Sequence, residues 1–191
     1  FNAAARNRQL ICADVIPQSG GRSLIQVRVD VTADHAPVQS MFAALGGRLG
    51  NTRQFIKMPD VEAPQNCPQK ADPLIQSDGN LIYKFDRRTA LEDTDAGLEC
   101  MWIKPVQNIS ITAGLLALTS DFMLGAHRDT RGGTSLDNTL RVFSTEPTDW
   151  ILCVTQISGF REGVAMGVTH QFTQDGHLLA TSSQTGLLPR E

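Results

Sequence analysis

One helix constrains the fold of this chain more than any other feature. The stretch ITAGLLALTSDFML, residues 111–124, is apolar on almost every side, and Ser110 or Thr112 can cap its start. A helix of this kind must be buried, and we expect a sheet to wrap around it. The strand LECMWIK precedes it, and four alternating strand segments follow between residues 134 and 185. Few folds accommodate a strand, a buried helix and four antiparallel strands in this order.

The first part of the chain is predicted to be sheet without a helix. Residues 9–45 hold three segments in which apolar residues recur at every second position, as at Val27 and Val29. This period predicts three antiparallel strands with one buried face. Residues 46–96 are rich in Pro, Gly, Asp and Asn. We expect a linker there, with one short helical turn and a short strand near NLIYKF.

Composition excludes several classes of protein. A chain of 191 residues with 41% hydrophobic residues and a net charge of -3 has no basic stripe for nucleic acid. Its apolar runs are too short to cross a bilayer, and its first residues lack a signal-peptide core. The four cysteines lack metal-type spacing, so we expect free, mostly buried thiols in a cytoplasmic protein. The final LPRE matches no common peroxisomal address.

Four stretches of the second half carry a recognisable pattern. They are SDFML at the end of the helix, TSLDNTLRVF, DWILC, and the closing hairpin REGVAMGVTHQFTQDGHLLATSSQTGLL. Together they resemble acyl-CoA thioesterase II and its relatives over residues 98–188, and FNAAARNRQLICADVIPQSGGRS resembles the family more loosely. The resemblance implies an α+β double hot dog, in which a curled antiparallel sheet holds a central helix.

The resemblance also implies a division of the chain. Residues 1–45 would be an incomplete amino-terminal hot dog of strands only, residues 46–96 the linker, and residues 97–191 a carboxyl-terminal hot dog that carries the site. The family's first strand and first helix would lie upstream of Phe1, and we expect this chain to be a fragment of a longer product. Because hot-dog halves commonly pair through continuous sheets, we expect a homodimer or a larger assembly.

The same resemblance implies a hydrolytic site. Thioester hydrolysis needs a polarised carbonyl, an oriented water and a group that takes the proton of the water. The family uses an Asp, a Ser or Thr, and a Gln around one water. Carried over, these are Asp121 as general base, Ser135 and Gln184, with Thr134 in place of Ser135 if the register shifts. Backbone N–H groups near a helix start would bind the oxyanion. No metal and no cofactor beyond the CoA of the substrate would be needed.

Each candidate also has a purely structural interpretation. An Asp after an apolar helix is usually a turn former, and a Gln on a strand usually faces solvent. However, the alternation in ATSSQT can bury Ala180, Ser182 and Gln184 on one face, which favours a functional Gln184. Arg128 and Arg131 either meet the phosphates of CoA or belong to a solvated basic loop.

Two other functions stay open beside hydrolysis of an acyl-CoA or acyl-carrier thioester. Hot-dog dehydratases use an Asp–His pair, and Asp121 and His127 in DFMLGAH invite that comparison. Such a dehydratase or cyclase would need Asp121 but not Gln184. A non-catalytic module would bind an acyl group without turnover. The loop HRDTRGG favours an exposed His127, and neither nucleic acid nor a membrane is an expected partner.

Overall fold

The computed structural model describes residues 9–71 and 81–189. Residues 1–8, 72–80 and 190–191, which include part of the expected linker and both ends of the chain, lie outside the described residues. The strands and the helix are β1 Ile11–Gly20, β2 Leu24–Ala33, β3 Ala36–Gly46, β4 Phe85–Asp93, β5 Leu98–Pro105, α1 Ala113–Ser120, β6 Thr134–Val142, β7 Ile151–Arg161, β8 Val164–Phe172 and β9 Leu178–Leu187. The chain forms two compact units, Phe1–Arg53 and Gln54–Glu191.

The first unit holds an antiparallel sheet in the order β1-β2-β3. These strands lie where the alternation predicts them, and the described part of the unit contains no helix. The predicted buried face was wrong, because β1 is exposed throughout and the buried residues of the sheet's described strands are Val27 and Ala33 of β2. Asp34 and His35 connect β2 to β3 with φ angles of 47° and 68°. A tight hairpin turn needs this left-handed backbone because it matches the twist of the two strands.

The second unit is a six-stranded antiparallel sheet in the order β4-β5-β7-β8-β9-β6. The strand that follows α1 in the chain, β6, pairs with β9, so the connection through α1 spans the sheet. The core between α1 and the sheet is apolar and consists of Phe85, Met101, Ile103, Leu115, Leu116, Ile151, Cys153, Leu179 and Ala180. The predicted arrangement of a curled antiparallel sheet with one central helix is therefore confirmed.

The helix is shorter than the sequence predicts. Thr112 caps it, because its Oγ1 accepts a hydrogen bond from the N–H of Leu115 at 3.1 Å. The α-helix ends at Ser120 and tightens into a 3-10 turn over Asp121–Ala126. One side of α1, carrying Ala117, stays exposed among the described residues. The sheet therefore packs against the buried side of α1, and the side that carries Ala117 is not covered by it.

The expected linker is partly folded onto the sheet. Residues 46–96 contain β4, and Met58, Val61 and Cys67 pack on the face of the sheet opposite α1. The indole Nε1 of Trp102 donates to the carbonyl oxygen of Glu62 at 2.9 Å. This segment crosses the sheet in an extended conformation, so its apolar contacts have no regular spacing that a pattern could reveal.

The short strand expected near NLIYKF begins at the last residue of that stretch and is longer than expected. Residues Leu81–Lys84 form a 3-10 turn, and the strand begins at Phe85. In β4 the positions that share a face with Phe85 are Arg87 and Thr89, so charged residues hide the alternation. The turn and strand are nevertheless both present within the segment.

Candidate active site

Three side chains from three elements meet at the end of α1. Ser135 Oγ, on β6, donates to Asp121 Oδ1 at 2.9 Å. Gln184 Nε2, on β9, donates to the same Asp121 oxygen and to Ser135 Oγ, the latter at 2.8 Å. The side chains implied by the family resemblance are therefore in mutual hydrogen-bond contact, and the adjacent Thr134 is exposed.

Gln184 faces the core and not the solvent. Its side chain is 2% exposed, and Ala180 and Ser182 are buried on the same face of β9. Its Oε1 is buried and has no hydrogen-bond partner among the described residues. A buried amide oxygen without a donor is costly, which indicates a place for a ligand or a water. Asp121, in contrast, is exposed, so the cluster is open on one side.

Two glycines of the sheet let the Asp121–Ala126 turn lie close above it. A Cβ at Gly186 would be 2.5 Å from Leu124 Cδ1, and one at Gly167 would be 2.8 Å from Met123 Sδ. Both distances are below ordinary contact between such atoms. The absence of a side chain at these positions therefore allows the turn that carries Asp121 to lie close to strands β8 and β9. Glycine within a strand is the sequence signal for such a close approach.

A further tie between α1 and β6 was not predicted. Asn138 Nδ2 donates to Ser120 Oγ at 2.8 Å, directly before Asp121 in the chain. Gln171 on β8 also holds the helix, because its Nε2 donates to Leu116 O at 3.0 Å and to Thr119 Oγ1 at 2.8 Å. In the sequence, Asn138 and Gln171 are amide residues within predicted strands, and such residues usually occupy exposed positions.

The start of α1, where backbone donors for an oxyanion were expected, is not beside the cluster. Asp121 follows the last residue of the helix, and at 1.5 Å per residue the start at Ala113 lies about 12 Å away along the axis. The N–H of Asp121 donates to Leu118 O within the helix end. The start of α1 in the same chain is therefore distant from Asp121, and backbone donors for the oxyanion near a helix start stay a prediction.

The two arginines of the following loop have different surroundings. Arg128 is 73% exposed and lies 3.5 Å from Asp129. Arg131 is 22% exposed, donates to Gly125 O at 3.3 Å and lies 3.5 Å from Glu92. Arg128 is therefore accessible to a ligand, whereas Arg131 contributes to the fold of the loop.

His127 is buried, and the expectation of an exposed side chain was wrong. Its Nε2 is 3.1 Å from Thr94 O, and its Nδ1 accepts from the N–H of Asp129 at 3.1 Å. The ring is held between backbone groups because the loop folds back over it. Both ring nitrogens are engaged away from Asp121, so the Asp–His pair of a dehydratase is not formed.

The described cysteines are free, as predicted, and three of the four are buried. Burial raises the pKa of Cys100 to about 11 and that of Cys153 to about 12. Both therefore remain thiols near neutral pH and are poor nucleophiles. Among the described residues, no three His, Cys, Asp or Glu side chains are grouped as metal ligands. No helix in the same ranges is long and apolar enough to cross a membrane.

A helix packed on one antiparallel sheet of six strands is the arrangement of a hot-dog fold, and the chain is a thioester hydrolase of that fold. Residues 64–188 match the family model of the acyl-CoA thioesterase C-terminal domain, and the chain belongs to this family. A proposed thioesterase from Novosphingobium aromaticivorans is 31% identical, with a TM-score of 0.84 over 94% of this chain and 72% of that one.

Two more distant crystal structures share the fold. Acyl-CoA thioesterase II TesB2 from Mycobacterium marinum is 21% identical, with a TM-score of 0.76 over 96% of this chain and 74% of that one. A hot-dog protein of unknown function from Alicyclobacillus acidocaldarius is 19% identical, with a TM-score of 0.81 over 94% of this chain and 72% of that one. No curated protein sequence matches the chain.

Proposed function

We propose that this thioester hydrolase cleaves acyl-CoA to a free acid and CoA with a water held by Asp121, Ser135 and Gln184. The observation that carries the proposal is the mutual hydrogen bonding of these side chains through Nε2 of Gln184, while Oε1 of the same amide has no partner among the described residues. A water at this oxygen would satisfy it and lie beside the carboxylate. Asp121 is exposed, which leaves an approach for the thioester.

The hydrogen bonds give each group a role. Ser135 and Gln184 both donate to Oδ1 of Asp121, which leaves Oδ2 to accept a proton from the water. The water donates its other hydrogen to Gln184 Oε1, so its oxygen lone pair points outward to the thioester carbon. Attack forms the C–O bond and Asp121 takes the proton. Cleavage of the C–S bond releases the CoA thiolate, and the proton on Asp121 then passes to the thiolate, which restores the carboxylate. The steps use no metal and no cofactor besides the CoA in the substrate.

The test is chromatographic detection of free acid from short, medium and long acyl-CoA substrates and from one acyl-carrier thioester. We compare the parent with Asp121→Asn and Gln184→Ala, and use Ser183→Ala, the next residue on β9, as the control. Loss of the base should lower kcat by about 10²-fold or more. Chromatography avoids thiol dyes, which the free cysteines of the protein would consume.

The outcomes separate the functions. Turnover in the parent with losses in both variants supports the water-holding cluster, and the panel then gives the preferred chain length and carrier. Loss in Asp121→Asn alone would remove Gln184 from the proposed water-holding cluster. Absence of free acid, with an altered acyl-CoA as the product, would identify a dehydratase or cyclase. Acyl-CoA binding without turnover in the folded parent would identify a binding module and overturn the proposal.

We also propose that the protein assembles as a homodimer or a larger oligomer. The edge strands of its six-stranded sheet are β4 and β6. Lys70 N–H donates to Arg87 O and Thr89 N–H donates to Pro68 O, which covers part of the β4 edge, so β6 offers the more open edge for pairing with another chain. Size-exclusion chromatography with light scattering measures the mass of the assembly. A stable monomer would contradict this proposal without affecting the hydrolytic one.

A further inference from the structure

Asn138 is a polar residue beside the cluster for which the proposed reaction has no role. It lies directly opposite Gln184 in the pairing of β6 with β9, so the two side chains leave the sheet on the same face. Its Nδ2 donates to Ser120 Oγ at 2.8 Å, and Ser120 Oγ donates to Ala117 O at 2.7 Å. The side chain of Asn138 therefore reaches the end of α1.

Two adjacent residues at the end of α1 are tied to the same strand. Ser120 is fully buried and bonds Asn138, while the next residue, Asp121, bonds Ser135 through its carboxylate. The first of these bonds fixes where the helix stops, and the second orients the carboxylate that follows. A displacement of about 1 Å in a reacting group is enough to lower a catalytic rate by up to about 10²-fold.

A purely structural role explains Asn138 poorly. Its Oδ1 is buried and has no hydrogen-bond partner in the described parts of the chain. An unpaired buried oxygen opposes folding, and a leucine of similar shape would fill the position without that cost. The amide is therefore better explained by the bond that it makes to Ser120.

We propose that Asn138 is a positioning residue of the hydrolysis. Through Ser120 it fixes the end of α1, so that the Asp121 carboxylate meets Ser135 and Gln184. This inference rests on the proposed function, because it assigns Asn138 to the same reaction.

The experiment measures kcat and KM with an acyl-CoA that the parent hydrolyses. The variants are Asn138→Leu, which keeps the shape and removes the donor, Ser120→Ala, and the two combined. Thr139→Ala is the matched control, because Thr139 is exposed and follows Asn138 on the same strand. Asn138→His tests rescue, since the imidazole Nδ1 can donate from nearly the same position as the amide.

We expect Asn138→Leu and Ser120→Ala each to lower kcat by about ten-fold, with KM changed by less than about two-fold. The combined variant should be no slower than the slower single one, because both remove one link. Asn138→His should recover most of the loss, and Thr139→Ala should match the parent. Thermal unfolding of Asn138→Leu should occur no lower than in the parent, since the unpaired oxygen is gone.

Several results would overturn this inference. They are a parent-like kcat in Asn138→Leu, losses that multiply in the combined variant, and a loss of kcat that follows a loss of thermal stability. If the parent hydrolyses acyl-CoA and Asn138→Leu does so with the kcat of the parent, only the role of Asn138 fails. If the folded parent hydrolyses no acyl-CoA, the proposed function fails and the role of Asn138 fails with it.

Discussion

The substitution Gly186→Ala adds one methyl group and tests whether the site depends on the packing of Leu124 against β9. A Cβ there would lie 2.5 Å from Leu124 Cδ1 and 2.8 Å from Cδ2. Carbon atoms in contact are ordinarily about 3.5–4.0 Å apart, so Leu124 or β9 must move by about 1 Å. Leu124 is buried and belongs to the same 3-10 turn as Asp121. The movement therefore reaches the carboxylate.

We expect Gly186→Ala to lower the free energy of unfolding by about 1–3 kcal/mol, because the added methyl overpacks the core. It should also lower kcat by about ten-fold or more, because the turn shifts. Urea unfolding followed by circular dichroism and acyl-CoA turnover measure the two effects. Gly114→Ala is the matched control, since its nearest neighbour would be Thr112 Oγ1 at 3.8 Å. It should stabilise the helix by up to about 1 kcal/mol.

Combining Gly186→Ala with Leu124→Ala tests whether the contact between these two residues causes the loss. Leu124→Ala alone should cost about 2–5 kcal/mol, because it opens a cavity. In Gly186→Ala/Leu124→Ala the new methyl occupies part of that cavity, so the combined loss should be smaller than the sum by about 1 kcal/mol or more. Additive losses, or a Gly186→Ala variant as stable and active as the parent, would refute the reasoning.

Three further predictions concern charged groups. Lys70 and Glu99 form an ion pair whose side chains are 5% and 1% exposed. Lys70→Met leaves the buried Glu99 unpaired, so it should lower the free energy of unfolding in urea by about 3–5 kcal/mol, and adding Glu99→Leu should recover most of that loss. Burial lowers the pKa of His170 from 6.5, so the unfolded chain binds the proton more readily than the folded chain. The free energy of unfolding should therefore fall as the pH drops below 6.5, and it should fall less steeply in His170→Gln. Arg128→Ala should raise KM for acyl-CoA but not for an acyl-pantetheine lacking the nucleotide, whereas Arg131→Ala should mainly lower the melting temperature.

Local pattern predicted the strands well and the connections poorly. Alternation located β7, β8 and β9 because side chains of each pack against a core, which imposes a period of two. It missed the extent of β4, where Arg87 and Thr89 occupy the inward positions. It also predicted a linker where Met58 and Val61 pack against the sheet. Met58 and Val61 contact residues of strands that are distant in the sequence, so the pattern of the segment itself does not predict these contacts.

The cluster itself was predicted by family resemblance and not by local physics. Asp121, Ser135 and Gln184 are each ordinary in their local context, and only the tertiary fold brings them together. Asn138 and the glycines at 167 and 186 were missed for the same reason. Their function depends on which residue lies opposite them, and strand pairing between distant segments is set by the whole sheet.

A bulge in β6 explains how the site gathers on one face. Gln184 and Gly186 are two residues apart on β9, so both face α1, and their partners on β6 are Asn138 and Ser135. Those partners are three residues apart, and in a regular strand such a pair would point to opposite faces. The pairing shifts between Ser135 and Asp137, which inserts one extra residue at Leu136. The extra residue turns Ser135 and Asn138 to the same side, where one bonds Asp121 and the other bonds the end of the helix. Simple alternation cannot place both, which is why the sequence left the choice between Ser135 and its neighbour open.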